Sequence, residues 1–178
     1  MGNAMATCCG DARISESPSE AKEGFAIGSN KTAMVAIEYQ NELCSDGGKL
    51  HPAFKEVMAS TGMLADTARV ADVVRKTGAK VFHTPVVLKA EFCNTFEMIV
   101  IVIVKGKNGS DAFMGSDLEK QLKQHGIDTV VICGLFTSCC VESTIRTACE
   151  KGFNVVTLTN CTATSSSDGQ KAAADLKI

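Results

Sequence analysis

A cysteine that follows a predicted buried strand is the residue of this chain best placed for nucleophilic chemistry. Residues 129–133 are mostly apolar, Gly134 ends them, and a short turn leads into a predicted helix over residues 138–151. This spacing puts Cys140 in the first helical turn, where free backbone N–H groups and the helix dipole favour a thiolate and can stabilise an oxyanion. From spacing alone, the alternative that Cys139 and Cys140 are two small packing residues is equally good.

Two charged residues also follow predicted strands. Glu38 comes directly after the first strand, residues 32–37, where a carboxylate can act as a general base. Lys107 lies beyond the third strand, with Lys105 as its rival. A lysine there can pair with the carboxylate, favour a thiolate or hold an anionic intermediate. Taken alone, each charge is more typical of a solvated surface position, but the coincidence with the cysteine predicts one shared site.

The hydrophobic pattern alternates between strands and helices along the chain. Strands are predicted over residues 32–37, 81–88, 98–104, 129–133 and 155–158, and residues 38–52 form a predicted loop. Helices are predicted over residues 54–76, interrupted at Gly62, and over residues 116–125, 138–151 and 168–176. This alternation predicts an α/β domain of three layers, with a mainly parallel sheet and helices on both faces. Ligands of such sheets bind beyond the carboxyl ends of the strands, where Glu38, Lys107 and Cys140 lie.

Composition excludes several other classes of protein. With 178 residues, of which 45% are hydrophobic and 21% charged, the chain has the length and composition of one globular domain. Its 18 basic and 20 acidic residues give a net charge of -2, which argues against a nucleic-acid partner. The nine cysteines are odd in number and form no C-x-x-C pair, and the three histidines stand apart, so neither a disulfide framework nor a zinc site is predicted. We therefore expect a reducing, cytoplasmic location.

The first part of the chain differs from the rest. Residues 1–30 are rich in Ala, Ser, Glu and Gly without periodicity, which predicts a mobile tail. Gly2, with Cys8 and Cys9 nearby, suggests acylation followed by palmitoylation, and membrane contact is expected only in that case. Ala6 stands where the acylation pattern has Ser or Thr, which favours an unmodified tail.

The segment around the cysteine resembles the isochorismatase-like cysteine hydrolase superfamily. That family shows a strand followed by the pattern G-x-x-T-x-x-C-V-x-x-T-x-x-x-A, whose places are held here by Gly134, Thr137, Cys140, Val141, Thr144 and Ala148. Residues 33–41 (AMVAIEYQN) resemble its first strand and I-D-x-Q-N ending, and residues 107–113 (KNGSDAF) resemble its lysine loop. Residues 41–51 (NELCSDGGKLH) are similar to a Gly-Gly-Lys-Leu-His loop in one branch.

The resemblance implies a Rossmann-like fold and a carboxylate–lysine–cysteine triad. Carried over by position, Cys140 is the nucleophile, Lys107 supports the intermediate, and Glu38 stands where the family has Asp. The implied reaction is hydrolysis of a small amide, ureido or vinyl-ether substrate. The family is commonly oligomeric, so a homo-oligomer is expected.

The resemblance also implies which residues line the pocket. Phe136, Thr137 and Gln40 are expected at the oxyanion and substrate site, with backbone N–H groups near Thr137 and Cys140 as the oxyanion donors. A cis peptide bond is expected between Phe136 and Thr137. No cofactor and no catalytic metal are expected, because the Asp-x-His pattern of the metal-binding branch is missing.

The chain departs from the family pattern in ways that suggest a second hypothesis. Glu38 is one methylene longer than the family Asp, and a misplacement of about 1 Å can cost on the order of a hundredfold in rate. The domain, residues 31–178, is shortened between the second and third strands (residues 88–97) and at its C-terminus. The alternative is a degenerate homologue that binds a small molecule or partner without turnover. A redox protein using Cys139 and Cys140 is least favoured, because adjacent cysteines form only strained disulfides.

Overall fold

The computed structural model describes residues 7–8, 30–86 and 101–175. In these ranges the strands are β1 (Thr7–Cys8), β2 (Thr32–Ile37), β3 (Lys80–Thr84), β4 (Ile101–Ile103), β5 (Thr129–Leu135) and β6 (Asn154–Ala163). The helices are α1 (Asn41–Cys44), α2 (His51–Thr61), α3 (Met63–Lys76), α4 (Leu118–Gln124), α5 (Glu142–Glu150) and α6 (Ser167–Asp175). A π-helical turn, Thr137–Val141, directly precedes α5.

The strands form one sheet that is parallel except at one edge. Their order is β1-β6-β5-β2-β3-β4, and every neighbouring pair from β6 to β4 is parallel, whereas β1 runs antiparallel to β6. The prediction of a mainly parallel sheet is therefore confirmed. The central strands β2 and β5 are buried along their whole length, as expected for strands covered on both faces.

Two hydrophobic cores lie on opposite faces of the sheet. Because successive residues of a strand point to opposite faces, β2 contributes to both. On one face Met34 belongs to the same core as Phe54 of α2. On the other face Val35 belongs to the core that contains Leu118 of α4 and Ile145 of α5. Helices thus cover both faces, and the predicted three-layer arrangement is confirmed.

Strand β6 is longer than its apolar residues indicate. The pattern predicts residues 155–158, but the strand runs over Asn154–Ala163. A register shift between Ile132 and Gly134 of β5 separates the two halves of the pairing, and beyond it Gly134 and Leu135 pair with Thr162 and Ala163. The second half of β6 mixes Thr and Asn with small residues and has no apolar run, so its pairing with β5 is what identifies it as strand.

Other boundaries also differ from the sequence prediction. The predicted helix over residues 138–151 is divided into the π-helical turn and α5. The predicted loop over residues 38–52 contains α1 and the first residues of α2. Residues 87–100, which include the predicted short connection over residues 88–97, lie outside the described residues.

The N-terminal segment contributes one short contact to the sheet. Thr7 and Cys8 pair with Val156 and Val155 at the edge of β6. The other residues of the predicted tail up to residue 29, including the candidate acylation site Gly2, lie outside the described residues. No helix in the described part of the chain is both long enough and apolar enough to cross a bilayer.

Gly134 is required where β5 lies close against the end of β2. Its φ is 136°, a value that other residues rarely adopt, and a Cβ at this position would overlap the carbonyl group of Ile37. We expect Gly134→Ala to lower the free energy of unfolding by about 3 kcal/mol or more, because backbone strain and overlap add. Urea denaturation measures this loss.

Gly152→Ala is the matched control for this substitution. Gly152 also has a positive φ, 82°, but nothing lies within 4 Å of the place that a Cβ would take there, so only the backbone strain applies, about 1 kcal/mol. Equal losses in the two variants would show that the close approach to Ile37 contributes nothing.

His83 on β3 makes the fold sensitive to acid. Burial lowers the pKa of His83 from 6.5 to about 4. Between these pH values the unfolded chain binds a proton at His83 that the folded chain does not. The free energy of unfolding therefore falls by on the order of 3 kcal/mol as the pH is lowered from about 6.5 to 4. We expect His83→Gln to lose less stability than wild type between pH 7 and pH 4.5 in urea titrations. An identical loss in both proteins would assign the acid sensitivity to other groups.

Candidate active site

The three residues predicted to do chemistry meet beyond the carboxyl ends of the parallel strands. Glu38 follows β2, Lys107 lies beyond β4, and Cys140 follows β5 in the π-helical turn. The Lys107 Nζ lies 2.5 Å from the Glu38 Oε1, and the Cys140 thiol interacts with the same carboxylate. All three are buried, with 3% of Glu38, 0% of Lys107 and 6% of Cys140 exposed. The structure therefore brings together a carboxylate, an ammonium and a thiol from three separate segments.

An unusual backbone conformation places the carboxylate. Glu38 has a φ of 60°, and it is the one residue other than glycine with a positive φ in the described part of the chain. Its backbone N–H donates to the Thr84 carbonyl oxygen at 3.3 Å, which ties the end of β2 to the end of β3. A non-glycine residue in this conformation costs on the order of 1–3 kcal/mol and is typical of functional sites.

The lysine is fixed by its own loop as well as by Glu38. The Lys107 Nζ also donates to the Gly109 carbonyl oxygen at 2.7 Å. Gly106 precedes it with a φ of 88°, and a Cβ there would lie 2.6 Å from the Gly115 carbonyl oxygen, so only glycine fits. The rival candidate Lys105 is exposed, and its backbone N–H donates to Asp117 instead. Of the two lysines, only Lys107 reaches the site.

The cysteine lies in a π-helical turn. The Phe136 carbonyl oxygen accepts hydrogen bonds from the backbone N–H groups of Cys139, at 3.1 Å, and Val141, at 3.0 Å. Cys139 is exposed, whereas Cys140 is buried, so the two neighbours are directed into different surroundings. π-helical turns are rare and are frequent at functional sites.

The thiol form of Cys140 is favoured over the thiolate. Burial raises the pKa of Cys140 well above its ordinary value, and the charge of Glu38 and a hydrogen bond to Glu38 raise it further. The Lys107 cation acts in the opposite direction but with a smaller effect. The prediction of a thiolate stabilised by the helix terminus is therefore wrong, because it left out burial and the neighbouring carboxylate. A neighbouring carboxylate is a group that can remove the proton of such a thiol.

The predicted pocket residues are held by neighbours of their own. The Phe136 ring packs edge-to-face on Phe54, with 4.5 Å between the ring centroids. The side-chain amide of Gln40 donates to the Val86 carbonyl oxygen at 2.9 Å and accepts from the Val86 N–H at 3.2 Å. Both ends of this amide thus bind the backbone that follows β3. Contact of Gln40 with a substrate stays a prediction.

The backbone before the motif threonine differs from the expectation. No peptide bond in the described ranges is cis, so the predicted cis bond between Phe136 and Thr137 is wrong. The Thr137 hydroxyl donates to the Gln170 Oε1 at 2.9 Å, and the Gln170 Nε2 donates to the carbonyl and hydroxyl oxygens of Thr162, each at 3.2 Å. Gln170 of α6 thereby joins the nucleophile turn to the end of β6.

Two further threonines hold the lysine loop. The Thr144 hydroxyl accepts from the backbone N–H of Ala112 at 2.9 Å, and the Thr147 hydroxyl donates to the Asp111 Oδ2 at 2.9 Å. Sequence reasoning assigned no contact to these residues or to Gln170. The motif position of Thr144 was the one available signal, since the contacts of Thr147 with Asp111 and of Gln170 with Thr137 join residues more than thirty positions apart.

The donor groups needed for a metal are not assembled in the described residues. No group of three or more His, Cys, Asp or Glu side chains converges there.

Comparison with known proteins identifies the family. The model of the Isochorismatase domain matches residues 32–176. An uncharacterized isochorismatase family protein of Escherichia coli O157:H7, YecD, is 33% identical over 156 residues, covering 73% of this chain and 78% of that protein. The ureidoacrylate amidohydrolase RutB of Variovorax paradoxus is 25% identical over 180 residues, covering 79% of this chain and 71% of that protein.

A solved structure supports the same assignment at the level of the fold. The cysteine hydrolase from Pseudomonas syringae pv. phaseolicola superposes with a TM-score of 0.71 over 88% of each chain, at 19% identity. The resemblance found in the sequence is confirmed, because the family model extends from the first residue of β2 past the end of α6. The chain belongs to the isochorismatase family of hydrolases.

Proposed function

We propose that this chain is a cysteine-dependent amidohydrolase that cleaves the C–N bond of a small amide or ureido compound. One observation carries the proposal: the buried Glu38 carboxylate is paired with the Lys107 ammonium at 2.5 Å and lies close enough to the Cys140 thiol to interact with it. Similarity to the ureidoacrylate amidohydrolase of Variovorax paradoxus supports this substrate class over a vinyl ether.

In the first half of the reaction, Glu38 acts as a general base and then as a general acid. It takes the thiol proton of Cys140 as the sulfur attacks the carbonyl carbon of the substrate. The tetrahedral intermediate collapses, the C–N bond breaks, and Glu38 gives the proton to the departing nitrogen. The Lys107 cation lies close enough to the carboxylate to balance its charge whenever it is ionised.

In the second half, water releases the product from the enzyme. The acyl group is held on the Cys140 sulfur as a thioester. Glu38 takes a proton from the attacking water, the C–S bond breaks, and the thiol is restored by the proton that Glu38 carries. The proposed oxyanion donors are the backbone N–H groups near Thr137 and Cys140, since those of Cys139 and Val141 are already bound to the Phe136 carbonyl.

The contacts of Glu38 favour turnover over the degenerate alternative. A glutamate whose extra methylene had carried it away from the site would leave Lys107 buried without a counter-charge, which is strongly unfavourable. Instead the Glu38 side chain pairs with the Lys107 ammonium and interacts with the Cys140 thiol. The glutamate is a working equivalent of the aspartate that the family pattern has here.

Substitution of the nucleophile and the base tests the proposal. We expect ammonia release from ureidoacrylate or small primary carboxamides by wild type, and none above background by Cys140→Ser. Glu38→Asp should lower kcat about a hundredfold, because a shorter side chain withdraws the carboxylate by about 1 Å. Cys139→Ser, the matched control, should retain activity. Equal rates for wild type and Cys140→Ser would reject the mechanism, and a faster Glu38→Asp would support a degenerate site.

A second test separates the reactivity of the thiol from turnover. In Glu38→Gln the negative charge beside Cys140 is removed while Lys107 remains, so the pKa of Cys140 falls and the thiolate fraction rises at a given pH. We expect faster alkylation of Cys140 by iodoacetamide at neutral pH, but turnover reduced by about a hundredfold or more because the base is lost. Peptide mass spectrometry in a Cys139→Ser background measures the alkylation.

The control for this test is Glu56→Gln, which removes an exposed carboxylate of α2. It should change neither rate. Slower alkylation of Cys140 in Glu38→Gln would show that Glu38 does not hold the thiol in its protonated form.

A further inference from the structure

We propose that Thr144 is a positioning residue that sets the distance between the nucleophile and the lysine loop. The proposal rests on the cysteine hydrolase function proposed above. Thr144 lies in α5 with 0% of its surface exposed, and its hydroxyl contacts the two segments that carry Cys140 and Lys107.

The hydroxyl of Thr144 makes two short hydrogen bonds. It donates to the carbonyl oxygen of Cys140 at 2.6 Å, and it accepts from the backbone N–H of Ala112 at 2.9 Å. The first bond is the ordinary contact of a threonine with the preceding helical turn. The second joins residues 32 positions apart. One oxygen atom therefore connects the backbone of the nucleophile to the backbone of the lysine loop.

This connection matters because the Lys107 side chain alone does not fix the position of its ammonium group. A lysine side chain is long and flexible, so its ammonium is placed accurately only if its loop is fixed. The loop is anchored to α5 through Asp111 and Ala112, and Lys107 itself through Gly109. Without the Thr144 hydroxyl, the Ala112 N–H loses its partner, and the bond that sets the loop against the Cys140 backbone is lost. A displacement of about 1 Å at a reacting group costs on the order of a hundredfold in rate.

The neighbouring Thr147 provides a matched control. It lies one helical turn further along α5 and donates to the Asp111 Oδ2 at 2.9 Å, so it holds the same loop. Its hydroxyl makes no bond to the nucleophile turn among the described contacts. The substitution Thr147→Val therefore removes a loop contact of similar length from the same helix without releasing the Cys140 carbonyl.

The experiment compares Thr144→Val, Thr144→Ser and Thr147→Val. Val matches the shape of Thr without the hydroxyl, and Ser restores the hydroxyl. We expect Thr144→Val to lower kcat between tenfold and a hundredfold with KM changed less than about threefold, because positioning rather than binding is lost. Thr144→Ser should recover most of kcat, and Thr147→Val should lose less than about threefold. All assays are made well below each variant's Tm.

A second readout separates positioning from general loosening. When the nucleophile turn is released from the lysine loop, Cys140 moves away from Glu38, and its iodoacetamide reaction should shift to lower pH in Thr144→Val but not in Thr147→Val. If Thr144→Val does not fold, Thr144→Ala replaces it in the same comparison.

The outcomes distinguish this inference from the proposed function. Equal losses of kcat in Thr144→Val and Thr147→Val, or no recovery in Thr144→Ser, would overturn the positioning role even if Cys140→Ser is inactive. Full activity of Cys140→Ser would instead reject the proposed function.

Discussion

The buried ion pair of Glu38 and Lys107 is the constraint on which the rest of the site depends. Removing two charges from water is costly, and their attraction offsets that cost only when the geometry is good and the remaining donors are bound. The 2.5 Å contact supplies that geometry, and the Gly109 carbonyl oxygen accepts a second hydrogen bond from Lys107. The pair also bears on the state of Cys140. Burial raises the pKa of the Cys140 thiol most, and the carboxylate that balances the lysine raises it further. One carboxylate therefore affects both the stability of the site and the reactivity of its sulfur.

The sheet explains why three distant residues meet. Parallel strands have their carboxyl ends on the same side of the sheet. Residues that follow β2, β4 and β5 therefore lie on one side of the molecule. The approach of β5 to β2 is close enough to require Gly134, and directly beyond it Glu38 adopts its positive φ. The strands bring the segments near each other. The side-chain bonds of α5 and α6 then determine the final geometry of the loops.

The positions of the central strands and the three site residues could be predicted from the sequence, but the contacts among the loops could not. β2 was predicted with the boundaries found, because a buried parallel strand is an uninterrupted apolar run. The polar half of β6 was missed, since its identity depends on pairing with β5. The thiolate prediction for Cys140 failed because a helix dipole can be inferred from a pattern, whereas burial and the distance to Glu38 cannot. The amide contacts of Gln40 with Val86 and of Gln170 with Thr137 likewise join segments far apart in the chain.

The link through Gln170 ties the reactive turn to α6. The side chain of Gln170 holds both Thr137 and Thr162. Much of α6 is exposed, and elements with few buried contacts open at a lower free energy than the core strands, independently of global unfolding. Whenever α6 detaches, the Thr137 hydroxyl loses its acceptor while the sheet stays intact. The fraction of molecules with a fully held nucleophile turn is therefore governed by how firmly α6 is docked.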